Sequence, residues 1–135
     1  MSENFKLRSL MVLIFVTLSC CFSLSSCGEK HAKLPNGYVL APRDGNSVLL
    51  DENGRDILNG KKTSQFCVFD GCIYGWIDDN DDKFYFLNTV THQLKFFDNW
   101  KDLDIFLERS GRPRLTMKES FTYLDIVENK KRITW

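Results

Sequence analysis

Turn-forming residues recur along the chain from Leu34 onward and leave room for only short elements between them. Clusters of Gly, Asn, Asp and Pro occupy residues 35–37, 42–46, 52–54, 59–60, 70–71 and 78–82. Gly, Asn and Asp tolerate the positive φ of tight turns, and Pro presets φ for a turn. Short apolar runs bounded by such clusters are typical of hairpin-connected strands, so the spacing predicts an antiparallel β-meander.

The runs between the turns are rich in β-branched and aromatic residues, which favour strands. Strands are predicted over residues 38–41, 47–50, 66–69, 73–77 and 84–87. Asn53-Gly54 favours a two-residue turn that would pair residues 49–50 with 57–58. A last hairpin is predicted over residues 84–97. His92 is expected to close its turn in the left-handed conformation, which His adopts more readily than most residues.

The apolar period changes from two to about 3.6 after Phe97, which indicates a helix. Asn99 can cap it and Gly111 can end it. Its apolar face is expected to pack on the sheet and comprises Trp100, Leu103, Phe106 and Leu107. Residues 116–119 match a capping box, so residues 117–127 form either a second helix or a final strand. The predicted fold class is α+β: an antiparallel β-meander with one or two C-terminal helices packed on it.

The first residues have the order of a secretory signal peptide. Lys6 and Arg8 precede an apolar run over residues 10–24, and small residues follow it. A spanning helix needs about 20 apolar residues, so a permanent membrane-spanning anchor is disfavoured. Leu24-Ser25-Ser26-Cys27 resembles the bacterial lipobox, which implies cleavage before Cys27 and acylation of its sulfur.

This organisation divides the chain into three parts. We expect a signal peptide over residues 1–26, a lipid-anchored tether over 27–33 and a single β-rich periplasmic domain over 34–135. Attachment to the membrane would be through the N-terminal lipid on Cys27. Gly28 follows the cysteine where Asp would resemble an inner-membrane retention signal. The expected location is therefore the outer membrane, facing the periplasm.

Charge argues against nucleic acid as the partner. The chain has 18 basic and 18 acidic residues, and removing Lys6, Arg8 and Glu3 with the signal leaves 16 against 17. Phosphate binding requires a clustered positive excess. The one dense basic run covers residues 130–132, and we interpret it as a solvated terminus.

Two cysteines, Cys67 and Cys72, remain after signal removal and acylation of Cys27. An oxidising compartment favours a disulfide between them. The geometry depends on the turn between them. A four-residue loop over residues 68–71 would place them face to face, whereas a two-residue turn at Asp70-Gly71 would set them diagonally and leave them reduced.

The acidic run over residues 78–82 invites comparison with a calcium loop, since hard cations prefer carboxylate oxygens. The pattern fails because Lys83 stands where the loop Gly is required and Thr89 where the bidentate Glu is required. No metal site and no cofactor are expected. We interpret the run as an exposed loop whose carboxylates attract a basic partner surface, and these are Asp78, Asp79, Asp81 and Asp82.

Aromatic residues crowd the predicted strands, and alternation places about half of them on each sheet face. One face must be core. The other is either covered by the C-terminal helices or presented as a binding surface. In the second case Tyr74 and Trp76 are the expected partner-binding anchors beside the acidic loop.

Four segments together resemble small immunity-like proteins associated with interbacterial toxins. They are residues 34–38 (Leu-Pro-Asn-Gly-Tyr), 68–75 with their Asp-Gly step, 85–89 (Tyr-Phe-Leu-Asn-Thr) and 100–111. These proteins share a strand, an Asp/Asn-Thr turn, a second strand and a Trp-bearing helix. Where that pattern usually has Gly closing the turn, this chain has His92. The resemblance implies no catalytic residues, and the toxin-facing surface differs among such proteins.

The sequence therefore predicts a non-catalytic, lipid-anchored envelope protein that binds a partner protein as an immunity or inhibitor protein. It would occlude the active site of its partner, a toxin in the immunity case. The alternative is a structural or assembly lipoprotein of the cell envelope. A third interpretation, a thiol enzyme, could use only Cys67 with His92, and a disulfide to Cys72 would disable it.

Overall fold

A computed structural model describes residues 30–79 and 83–128 of the 135-residue chain. The predictions for the signal peptide, for Cys27, for Asp81 and Asp82 and for residues 130–132 lie outside the described residues.

The described chain forms an antiparallel sheet with two short α-helices near its C-terminal end, as the α+β prediction requires. Its strands are β1 (Ala32–Lys33), β2 (Val39–Arg43), β3 (Asn46–Leu50), β4 (Lys62–Phe69), β5 (Cys72–Asp78), β6 (Phe84–Asn88), β7 (Leu94–Phe97) and β8 (Phe121–Thr122). The first seven neighbour one another in chain order, and β8 pairs with β4. The helices are α1 (Trp100–Arg109) and α2 (Tyr123–Val127), and a 3-10 turn covers Pro35–Gly37.

Two hairpins have the tight turns that Asp-Gly steps predict. Asp44-Gly45 joins β2 to β3, with φ of 47° and 77°, and Asp70-Gly71 joins β4 to β5, with φ of 48° and 68°. Positive φ at both central residues matches the right-handed twist of the strands. His92 has a φ of 60°, so the left-handed residue expected before β7 is confirmed.

The connection from β3 to β4 differs from the predicted hairpin. The Asp51 carboxylate accepts the backbone N–H groups of Asn53 and Arg55 at 2.9 Å each, which makes a compact turn. Pairing after it is short: an isolated bridge joins Leu50 to Asp56, and Ile57 donates its N–H to the Leu49 carbonyl at 3.0 Å. It stops there because the Asp56 carboxylate accepts the N–H groups of Leu58 and Gly60 at 3.0 Å each and forms a second turn.

The sheet curls strongly. Strands β2 and β7 are five positions apart, which in a flat sheet would separate them by about 24 Å. The Tyr38 hydroxyl, just before β2, nevertheless shares a 2.6 Å hydrogen bond with Nδ1 of His92, just before β7. Asn36 also donates to the Thr89 hydroxyl at 2.7 Å. The sheet therefore wraps around its own inner face.

Two apolar clusters lie on opposite sides of the sheet. The concave cluster joins β1–β6 to α2, and its fully buried members are Leu40, Leu49, Leu58, Phe66, Ile73 and Tyr85. The convex cluster lies between β4–β7 and α1, and its buried members are Cys67, Cys72, Tyr74, Phe84, Phe86, Leu103 and Leu107. Both faces are thus covered, the convex one by α1.

Helix α1 forms where the sequence predicts it. Asn99 caps it by accepting the Asp102 N–H at 3.0 Å, and Gly111 follows it with a φ of 70°. Leu103 and Leu107 are buried, as expected of its apolar face. Trp100 does not join the core and is 57% exposed.

The C-terminal segment combines the two predicted alternatives. The hydroxyl of Thr116 accepts the Glu119 N–H at 3.3 Å, yet only one turn forms there. Strand β8 follows and pairs with β4, and Thr122 then caps α2 in a capping box with Asp125. The helical part is therefore shorter and later than residues 117–127.

Regular structure also begins before the predicted boundary at Leu34. Ala32 and Lys33 pair with Leu40 and Val39 as β1, and Ala32 is buried. The last residues assigned to the tether by sequence therefore belong to the sheet.

Candidate functional site

The predicted aromatic anchors do not lie where the sequence suggested. Tyr74 is fully buried in the convex cluster, and its hydroxyl donates to the Pro113 carbonyl at 2.8 Å. A side chain with no exposed area cannot contact a partner, so Tyr74 is not a surface anchor. Trp76 is half-buried and packs on Phe84 with 6.1 Å between ring centroids.

Two exposed aromatic side chains lie at the sheet end where β5 and β7 finish and α1 begins, and a third, Phe69 with 43% exposure, lies at the opposite end beside the β4–β5 turn. Trp100 is 57% exposed and Phe96 is 38% exposed. Trp76 reaches the same end, because it pairs with Phe84, which pairs with Phe97 just before α1. We call Trp76, Asp78, Asp79, Phe96 and Trp100 the end surface.

The charges of the end surface are partly neutralised from within the chain. Lys61 Nζ lies 3.1 Å from the Asp79 carboxylate and 5.5 Å from the centre of the Phe96 ring. Asp78, by contrast, is exposed. Of the two predicted acidic residues that the structure describes, Asp78 is thus the more available to a basic partner.

The exposure of Trp100 follows from its position in α1. It occupies the first helical residue, after the Asn99 cap, while Leu103 and Leu107 one and two turns later are buried on the sheet. The first turn therefore projects past the covered part of the strands. Sequence periodicity placed Trp100 with the core, because periodicity reports the face of a helix but not where its partner sheet stops.

Phe96 was not predicted as a surface residue from the sequence. Strand alternation places Phe96 and Phe97 on opposite faces of the edge strand β7. Phe97 packs on Phe106 with 5.4 Å between ring centroids, whereas Phe96 faces the open margin of the concave side beside Lys61. The sequence signal that could have indicated an exposed aromatic here is the adjacent pair Phe96-Phe97 at the end of a strand.

The structure contains no disulfide between Cys67 and Cys72, contrary to the favoured sequence prediction. The turn has two residues, so Phe69 lies opposite Cys72 and Tyr74 lies opposite Cys67. Diagonal neighbours in an antiparallel pair are about 7–8 Å apart, and cysteines with Cα atoms more than about 7 Å apart require backbone movement to bridge.

The pair that a thiol enzyme would need is not assembled. Cys67 lies in the convex cluster with its sulfur 3.7 Å from the Glu119 carbonyl, whereas His92 is bonded to Tyr38 on the concave side. Burial also raises the pKa of the Cys72 thiol, although the nearby Arg112 opposes that rise. The raised pKa keeps this thiol protonated at neutral pH, which disfavours a nucleophilic role.

A small groove surrounds the bond between Tyr38 and His92. It encloses about 280 Å³, and its lining residues include Asp51, Glu52 and Arg55. Burial, Glu52 and Asp51 raise the pKa of Tyr38, so its hydroxyl remains neutral. Arg55 contacts the Asp51 carboxylate at 3.1 Å, and the backbone N–H of Arg55 is the main cause of the lowered pKa of Asp51. These contacts have a structural role: they hold together the segments before β2, after β3 and before β7.

A second groove, about 570 Å³, lies between the β2–β3 turn and the start of α2. It exists because β4 pairs with β3 only at Thr63 and with β8 from Gln65 onward, which leaves a gap beside Ser64. Mixed polar side chains line it, with Pro42 and Leu124 as its apolar members. Its charged lining residues are Arg43 and Asp44.

Within residues 30–79 and 83–128, no group of three or more His, Cys, Asp or Glu side chains could hold a metal ion. In the same part of the chain, no helix has the length and apolar character needed to cross a bilayer. No protein-family model, curated protein or solved structure matches this chain.

Proposed function

We propose that this chain is a lipid-anchored envelope protein whose domain binds a partner protein through the end surface, acting as an immunity or inhibitor protein. The observation that carries the proposal is the exposure of Trp100, Phe96 and Asp78 at one end of the sheet. Trp is enriched among the residues that dominate binding energy at protein interfaces. In a domain that buries most of its aromatics in two clusters, an exposed Trp lacks a role in the fold.

At the end surface, the aromatic side chains would insert into the partner and the carboxylates would attract it. The Trp100 indole would fill a pocket on the partner, and Phe96 would extend the contact along the edge strand. Asp78, with the acidic run that follows it in the sequence, would attract a basic rim. Active sites that bind phosphate-rich substrates are often basic, so a toxin acting on nucleic acid is the partner class with the best charge match.

Capture of partners from envelope extracts tests the proposal. The acylated full chain serves as bait beside Trp100→Ala, and Met117→Ala is the matched control because Met117 is 67% exposed and lies in the C-terminal segment. We expect one protein to be enriched by the wild type and by Met117→Ala, with at least a tenfold loss for Trp100→Ala, since hot-spot residues contribute about 2 kcal/mol or more.

A functional readout then separates an inhibitor from a scaffold. The captured protein should arrest growth when produced in the envelope without this chain, and co-production of the wild type should restore growth. Trp100→Ala should fail to restore it. Recovery of only structural envelope components, in equal amounts with Trp100→Ala, would instead favour a structural or assembly lipoprotein.

A further inference from the structure

The start of the described domain is fixed against its C-terminal helix. The Tyr123 hydroxyl donates to the Lys30 carbonyl oxygen, and β1 begins two residues later. Helix α2 also contacts β1 directly. The point at which the chain enters the domain is therefore held at the corner between β1 and α2.

The chain between the lipidation site and this corner is short. Three peptide units separate Cys27 from Lys30, so their Cα atoms can be at most about 11 Å apart. A domain of this size has a radius of gyration of about 13 Å. Because the reach is smaller than the domain, a lipid on Cys27 would hold one particular side of the domain near the bilayer.

The corner has an apolar residue and basic residues on its outside. Phe121, Tyr123, Ile126 and Val127 pack against the concave cluster, which leaves Leu124 on the outward side of α2 with 54% exposure. Lys30, whose carbonyl oxygen accepts the Tyr123 hydroxyl, has an exposed side chain, and so does Lys33 in β1. We call Lys30, Lys33 and Leu124 the anchor corner.

The one dense basic run of the sequence, residues 130–132, follows α2 closely along the chain. Lys130 follows Glu128 by two residues, and Glu128 is the residue at the end of α2. Two acidic residues lie in or directly after α2: Asp125 accepts the Thr122 N–H at 2.8 Å within the capping box, and Glu128 is exposed one turn after Leu124. Lys and Arg near an anionic lipid surface strengthen its binding by about fivefold each.

We propose that the anchor corner is a membrane-facing surface that lies on anionic lipid headgroups, an inference that rests on the proposed acylation of Cys27. Leu124 inserts at the headgroup boundary, as apolar residues of interfacial helices do, and the basic residues contact the lipid phosphates. Helix α1 packs on the opposite side of the sheet from α2. The membrane-facing corner therefore leaves α1 and Trp100 directed into the periplasmic space.

Site-directed spin labelling of the acylated full chain tests this orientation. A nitroxide is attached at Leu124→Cys or at Ile105→Cys, a matched control because Ile105 is an aliphatic helix residue with 47% exposure on α1. The unsubstituted chain gives the background from Cys67 and Cys72, which are buried. Vesicles contain phosphatidylglycerol, phosphatidylcholine and a lipid whose headgroup chelates nickel.

We expect the nickel headgroup to relax the Leu124→Cys label severalfold more strongly than the Ile105→Cys label. Equal relaxation, or stronger relaxation at Ile105→Cys, would overturn the orientation. The double substitution Lys30→Glu and Lys33→Glu should weaken the effect at Leu124→Cys in phosphatidylglycerol vesicles, while Lys101→Glu on α1 should not. No difference between these variants would overturn the headgroup contact.

Mass spectrometry of the same sample distinguishes failure of the anchor from failure of the orientation. A chain without acyl groups on Cys27 would overturn both the membrane anchoring and the orientation that depends on it. An acylated chain with equal relaxation at both labels would overturn the orientation alone and leave the anchored binding domain in place.

Discussion

The two faces of the sheet are closed by different means. The concave face is enclosed mainly by the curled sheet, with α2 packed against it, and Tyr85 there is fully buried with its hydroxyl on the Thr63 side chain at 3.1 Å. The convex face is covered by α1 and leaves Trp76, Phe97 and Phe106 only half-buried. A helix of ten residues is about 15 Å long. The seven-residue β5 spans about 23 Å, so α1 cannot cover it completely.

This difference explains where a binding surface can form. A wrapped sheet seals its inner side, and the polar groups there find partners within the chain. A helix shorter than the strands beneath it leaves a convex margin with Trp100 at its edge, and Phe96 lies on the concave side of the same sheet end. We therefore expect the concave face to be rigid and the convex margin to be adaptable, and substitutions on each face can test this.

The largest effect is expected from Gly75→Ala on the concave side. A Cβ at this position would lie 2.2 Å from the Gln65 carbonyl oxygen and 2.8 Å from Phe66 Cα. Backbone atoms on a paired strand cannot move aside cheaply, so we expect the free energy of unfolding to fall by about 3 kcal/mol or more, measured by urea denaturation.

Gly54→Ala is the matched control for that substitution. Gly54 has a φ of +76°, and no atom lies within 4 Å of the position that a Cβ would take. Only the left-handed conformation is therefore penalised, by about 1–2 kcal/mol. Equal losses for the two variants would show that β4 and β5 separate easily and that the concave face is not rigid.

The next largest effect is expected from Leu107→Ala, which removes a fully buried side chain between α1 and the sheet. Loss of a buried Leu side chain typically costs about 2–4 kcal/mol of stability. The half-buried residues around it should partly fill the cavity, so we expect a cost near the lower end of that range. Thermal unfolding measures the change, with Ile105→Ala on the exposed side of the same helix expected to cost less than about 0.5 kcal/mol. A loss of stability greater than that of Gly75→Ala would contradict the expectation that the concave face is the more rigid of the two.

At alkaline pH, ionisation of the buried Tyr85 should lower the free energy of unfolding. Burial raises the pKa of Tyr85, so the folded state keeps the proton that an unfolded tyrosine releases above its ordinary pKa of about 10. Stability is therefore complete below about pH 10 and is lost as the pH rises further. Denaturation midpoints from about pH 8 to about pH 11.5 measure this loss.

Tyr85→Phe should make the pH dependence shallower. Thr63 donates its proton to the Trp76 carbonyl at 3.1 Å, so Tyr85 is the donor to Thr63. Loss of this bond should cost about 1 kcal/mol at neutral pH. An unchanged alkaline slope in Tyr85→Phe would assign the effect to other groups, among them Tyr74, whose pKa is also raised by burial.

The smallest effect on stability is expected from Trp100→Ala. Its indole is 57% exposed, so the free energy of unfolding should change by less than about 0.5 kcal/mol. Phe106→Ala provides the contrast, because Phe106 packs edge-on to Phe86 at 4.8 Å and its loss should cost about 2 kcal/mol. A large destabilisation by Trp100→Ala would make that side chain part of the core.

Local sequence patterns predicted the elements whose geometry depends on neighbouring residues alone. The turns at Asp44-Gly45 and Asp70-Gly71, the left-handed His92 and the Asn99 cap of α1 are examples. In each case the chemistry that favours the conformation lies within a few residues of it, so no tertiary contact was required to infer it.

The remaining features depend on contacts between distant parts of the chain. Strand alternation places Tyr74 and Tyr85 on opposite faces of the sheet, but no local sequence pattern shows that both faces are covered. The cysteine pair depended on a choice between two turn lengths, and the shorter one formed. For the candidate site, Asp78 was predicted, whereas the exposure of Trp100 depends on where α1 begins relative to the sheet and that of Phe96 on its place at the edge strand β7.

The bond between Tyr38 and His92 joins positions 54 residues apart, and this has a kinetic consequence. Contacts between distant residues form only after the intervening strands have assembled, because the loop they close is long. The same seam should be the first part of the sheet to open in the native state, since few groups hold it. Hydrogen exchange at the amides of β5, which has a neighbouring strand on each side, should therefore require a larger opening than the loss of the side-chain bonds across this seam.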